Sequence, residues 1–91
     1  MPLQILSSPS DPPEDLVPQL EKAVREVFPD AATVEVTANS PGHFSVRVVC
    51  ASFADQNRVK QQQRVYGAIA HLMAGDAAPV HAIDRLITET P

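Results

Sequence analysis

Residues 33 to 50, TVEVTANSPGHFSVRVVC, decide the fold. The runs TVEV (33–36) and HFSVRVVC (43–50) are rich in β-branched residues and alternate with period two, the pattern of strands with one buried face. Between them, ANSPG supplies turn-forming residues, so the stretch predicts a β-hairpin. If Phe44, Val46, Val48 and Cys50 face the core, His43, Ser45 and Arg47 point away from it. Cys50 then reads as a small buried apolar residue rather than a reactive thiol.

Upstream of the hairpin, Leu16, Leu20, Ala23, Val24, Val27 and Phe28 recur at helical spacing, with Glu21, Lys22, Arg25 and Glu26 on the other side. Proline is tolerated in the first turn of a helix, so Pro18 favours Asp15 as the N-cap and itself as the third helical position. Pro29 ends the helix. Residues 1–13 are rich in Pro and Ser without periodicity and read as a flexible N-terminal arm, leaving 14–91 as the domain.

Downstream, Asp55 or Asn57 can cap a second helical region that runs to Ala74 and stops at Gly75. Val59, Gln62, Tyr66, Ile69 and Met73 mark its expected inner stripe, with Lys60, Gln61 and Arg64 outside. A polar Gln62 at an inward position is unusual. VHAIDRLIT (80–88) follows as a last strand, although Asp84 and Arg85 break its alternation.

Composition bounds what this domain can do. Ninety-one residues fit one small domain, and 44% hydrophobic content with only 4% aromatics implies an aliphatic core. No stretch approaches the roughly 18–20 apolar residues of a membrane span. The start, MPLQILSSPS, lacks a basic n-region, so a cytoplasmic location is expected. A single cysteine excludes an internal disulfide and a cysteine-built zinc site. The net charge of −4 argues against a surface that is basic throughout. Residues 1–30 carry that whole excess, six acids against two bases, while the remainder balances five against five and gathers Arg58, Lys60 and Arg64 on one helix.

Four ordered blocks, GHFSVRVV (42–49), Phe53, RVKQQQRVYG (58–67) and VHAI (80–83), resemble the BolA family, and the third is closest to its IbaG (YrbA) branch. The resemblance covers about residues 14–88. It implies an α/β (α+β) fold similar to class II KH domains, in the order helix, strand, strand, helical region, strand. The three strands would form a mixed sheet with the helices packed on one face.

Functionally, the resemblance implies a complex with a monothiol glutaredoxin in which a [2Fe-2S] cluster is shared between the two proteins. The glutaredoxin cysteine and glutathione would supply thiolates, and the BolA-like partner imidazole or thiolate. The family's C-terminal histidine falls in the block matching VHAI and so carries over to His81. The second ligand lies in or near the loop before the second strand, where His43 is the candidate. Many relatives have an Arg-His pair where this chain has Gln61-Gln62. That departure puts in doubt the transcription-factor role of the founding branch. Arg58, Lys60 and Arg64 would form part of a docking surface for the partner or glutathione, and a homodimer bridged through the same histidines is another arrangement.

Nucleic-acid binding by a KH-like transcriptional regulator is the alternative class. The three glycines form no GxxG clamp, and three cations give only shallow salt-dependent affinity. Nucleophile elbow, Walker loop, CxxC and HExxH patterns are all missing, so a non-enzymatic protein is expected. His71, near the end of the long helix, reads as a dipole-facing residue.

Overall fold

The hairpin forms as the alternation predicts, but its first strand is twice as long as TVEV. In the computed structural model, which describes residues 13–75 and 78–91, strand β1 spans Thr33–Ser40 and strand β2 spans His43–Val49. They pair antiparallel from Thr33↔Val49 to Ala38↔Phe44. The register then shifts so that Ser40 meets His43 and Asn39 is an extra residue. Only Pro41 and Gly42 remain to turn the chain, and Gly42 does so at φ +79°. Ala38, Asn39 and Ser40 are thus strand rather than turn. Their turn-forming character conceals that Ala38 continues the inward series of Val34 and Val36.

Phe44, Val46, Val48 and Cys50 are buried as expected. Cys50 lies just beyond β2, where it precedes a 3-10 turn (Ala51–Phe53) and sits 3.1 Å from the Ser52 hydroxyl.

Strand β3 (Ala82–Glu89) lies parallel to β2, completing a mixed sheet in the order β1-β2-β3. Its pairing shifts between Phe44↔Ile83 and Ser45↔Arg85, leaving Asp84 as the extra residue. This bulge is why the sequence alternation fails at Asp84-Arg85. Ile83, Leu86 and Thr88 take the core side, whereas Arg85, Ile87 and Glu89 pair with residues of the opposite face. Val80 is buried ahead of the strand, and its N–H donates to the Leu72 carbonyl (3.1 Å).

Helix α1 (Pro13–Val27) starts earlier than Asp15. Pro13 occupies the first helical position, where a missing N–H is harmless, so Asp15 is not the N-cap and Pro18 stands within the helix. The proposed arm falls outside the described residues up to position 12, and Pro13 belongs to the helix. Leu16, Leu20, Ala23, Val24 and Phe28 are buried against the sheet; Val27 is exposed.

Helix α2 (Arg58–Met73) is capped by Asn57, whose side-chain oxygen accepts the Lys60 N–H at 2.8 Å. Gly75 follows at φ +88°. The inner stripe is rotated from the expected one. Val65, Ala68 and Ile69 are buried and Leu72 and Met73 pack beside them, whereas Val59 is 61% and Tyr66 40% exposed.

Gln61 and Gln62 are both half-buried, and the one that carries the polar contacts to the core edge is Gln61. Its amide donates to the carbonyls of Phe53 (3.0 Å) and Gln56 (2.8 Å), and its oxygen accepts the buried Thr88 hydroxyl (2.7 Å). A side chain that satisfies three polar groups can occupy the edge of a core at little cost.

Both helices pack on one face of the sheet, and among the described residues the other face is open. Among the described residues, no helix is long and apolar enough to cross a membrane.

Candidate functional site

His43 and His81 reach the same end of the sheet because β2 and β3 run parallel and start side by side, with His43 opposite Ala82. The Gly42 carbonyl accepts the N–H groups of His81 (2.8 Å) and Ala82 (3.1 Å), tying the approach to β3 onto the hairpin turn. The His81 ring lies over Gly42, such that a Cβ added there would stand 2.5 Å from Nδ1. His81 is exposed and His43 half-exposed. The His81 ring thus covers Gly42, and His43 is the residue that follows this glycine in the chain.

His43 has a close neighbour in Asp84. Strict alternation would put Asp84 on the face opposite His81 and give it no role. The bulge instead brings its Oδ1 to 2.9 Å from His43 Nδ1, while Asn39 Nδ2 donates to Asp84 Oδ2 (3.1 Å) and Ser45 Oγ (2.9 Å). The bond to His43, and after it the bond from Asn39, hold the Asp84 carboxyl below its ordinary range. The broken alternation at 84–85 was the available signal, since bulges re-aim side chains.

Further along the open face, Arg47 bridges Glu35 (3.1 Å) and Glu89 (2.8 Å), which push its pKa up. Exposed pairs of this kind add little stability. Between the two networks lies a groove of about 410 Å³ lined in part by Thr37, Ser45, Arg85 and Ile87. Arg85 is exposed and pairs in register with Ser45, two residues from His43. It is nearer the histidines than any of the predicted docking cations.

Those cations lie at the other end. Arg58 and Lys60 lie in the first turn of α2 and are exposed, and Arg58 shares a groove with Thr88 and Glu89 at the far ends of the strands. At roughly 3.3 Å per residue, the length of β2 separates them from the histidine end by about 20 Å. Arg64 is half-buried. Its guanidinium stacks 4.7 Å from the Phe28 ring centroid and 5.7 Å from that of Phe53, and donates to Gln56 Oε1 (2.7 Å). Its contacts are thus intramolecular, closing the edge-to-face Phe28–Phe53 pair. His71 sits over a separate groove beside Lys22 and Glu26 of α1.

Among the described residues, no three His, Cys, Asp or Glu side chains gather to hold a metal ion. At the histidine end the chain presents two imidazoles, and its single cysteine, Cys50, is buried.

A mixed three-stranded sheet, backed by two helices and carrying histidines at the start of its parallel pair, defines a class of small α+β domain. The chain belongs to the BolA-like protein family, whose pattern matches residues 16–91. Solved structures agree in fold. A bol-like protein from Babesia bovis is similar at 24% identity and TM-score 0.70, with 99% of this chain and 91% of that one covered. BolA1 from Mus musculus is similar at 21% and 0.68, covering 100% and 76%. BolA1 from Arabidopsis thaliana is similar at 18% and 0.68, covering 82% and 90%. No curated protein matches the sequence.

Proposed function

We propose that this chain is a non-enzymatic iron–sulfur adaptor of the cytoplasm, of the IbaG-like branch. It binds a monothiol glutaredoxin and shares or hands on a [2Fe-2S] cluster. The observation that carries this reading is that His43, next to Gly42, and His81, whose ring covers Gly42, share one end of the sheet. In this reading His81 and His43 supply imidazole nitrogen, and the glutaredoxin cysteine and glutathione supply thiolate. Nitrogen ligation in place of sulfur raises the reduction potential of such a cluster. Because this chain brings only part of a ligand set, the partner is integral to the function.

The exposed Arg85, which pairs with no acid among the described residues, lies close enough to the histidines to meet an anionic group on the partner or on glutathione. Arg58 and Lys60 serve as a second, distant contact. Mixing the protein with a cluster-loaded monothiol glutaredoxin is expected to change the visible absorption and circular dichroism, and His81→Ala to abolish the change. An unchanged spectrum with the wild-type protein would overturn the reading. Sub-micromolar, salt-sensitive binding of a DNA or RNA oligonucleotide at physiological salt would favour a nucleic-acid regulator instead.

A further inference from the structure

We infer that Asp84 is a positioning residue for His43: it holds the proton on Nδ1 and presents the bare Nε2 as the donor atom. The inference rests on the reading of His43 as a ligand. An ionised carboxylate accepts hydrogen bonds and cannot donate, so the 2.9 Å contact between Asp84 Oδ1 and His43 Nδ1 places the proton on Nδ1 when the ring is neutral. Nε2 is then the nitrogen that carries the lone pair. Asp84 is itself fixed, because Asn39 Nδ2 donates to its other oxygen and to Ser45 Oγ.

Both participating backbone positions are irregular. Asn39 is the extra residue of the β1–β2 pairing and Asp84 that of the β2–β3 pairing, so a bulge on each side of β2 supplies one side chain: Asp84 meets the imidazole and Asn39 holds Asp84. A carboxylate on the far nitrogen of a metal-binding histidine fixes its tautomer and raises its basicity. Loss of such a partner typically weakens metal affinity about 10–100-fold.

The test begins with the protein alone. Long-range ¹H–¹⁵N correlation spectra of the neutral imidazoles are expected to show His43 as the Nδ1–H tautomer. In Asp84→Ala the population should move towards Nε2–H, with the dispersed amide spectrum showing that the fold is kept. A predominantly Nε2–H His43 in the wild type overturns the inference, whatever the cluster does. With glutaredoxin present, Asp84→Ala is expected to weaken formation of the mixed cluster about 10–100-fold, read by visible circular dichroism. An unchanged titration while His43→Ala still abolishes the signal also overturns it. If His43→Ala leaves the signal intact, the ligand reading of His43 fails and the positioning role with it, while the tautomer result still reports the Asp84 contact.

Discussion

Gly42 answers to two constraints at once. Its φ of +79° lies in the left-handed region, and His81 Nδ1 occupies the space a Cβ would need. Gly75 has a similar φ of +88° but open space around it. Gly75→Ala should therefore cost about 1 kcal/mol from backbone strain alone, whereas Gly42→Ala should cost more, about 2 kcal/mol, and displace the His81 ring. Urea denaturation of both variants checks the ranking, and only Gly42→Ala should also reduce the cluster signal with glutaredoxin. Asp84 adds a pH dependence. Its folded pKa is lowered by His43 and Asn39, so its contribution to stability is fully present above the unfolded carboxylate value of about 4 and is lost as pH falls through the folded value. In the protein without cluster, the stability difference between wild type and Asp84→Ala should be largest well above that value and shrink below it. Denaturation curves at a series of pH values measure this, and a gap that widens in acid would contradict the assignment.

At the scale of elements, Gln61 joins three of them: α2, on which it sits, the 3-10 turn through Phe53, and β3 through Thr88. Gln61→Leu fills similar volume but leaves the buried Thr88 hydroxyl and the Phe53 carbonyl without this partner, so it should destabilise by about 1–3 kcal/mol. Gln63→Leu, at an exposed position of the same helix, should stay within about 0.5 kcal/mol as the control, since surface changes away from such networks usually do. Thermal or urea unfolding of the pair decides which glutamine holds the elements together. The contrast also shows where the sequence was legible. Strand alternation from Phe44 to Cys50 and helical spacing from Leu16 to Phe28 identified the buried faces, because apolar burial imposes a period. The inner face of α2 was misplaced because Val59 and Tyr66 are apolar yet exposed, while Gln61 is polar yet satisfied by three partners. Periodicity weighs residue type and cannot see hydrogen bonds. The histidines were legible as residues through the family resemblance. The Asp84 contact was not, since it depends on two bulges that shift strand register without a clear local motif.

For the whole molecule, the parallel pairing of β2 and β3 sets two groups of polar side chains at opposite ends of one axis. The histidine end gathers His43, His81, Asp84 and Arg85, and the opposite end carries Arg58 and Lys60 with the clamped 3-10 turn. With about 20 Å between them, screening at physiological salt, where the Debye length is about 8 Å, leaves little direct coupling between the charges of one end and groups at the other. The two ends should consequently be separable by mutation. Charge reversal at Arg58 and Lys60 together should weaken association with a monothiol glutaredoxin by a few-fold and reduce its salt dependence, yet leave the shape of the visible circular dichroism of the saturated complex unchanged. Arg85→Glu should instead alter that spectrum as well as the affinity, because Arg85 lies two register positions from His43. Calorimetric titration at two ionic strengths, paired with spectra at saturation, distinguishes these outcomes. A spectrum altered by the Arg58 and Lys60 reversals would mean that the partner bridges both ends of the sheet and that cluster geometry is set by docking as well as by the histidines.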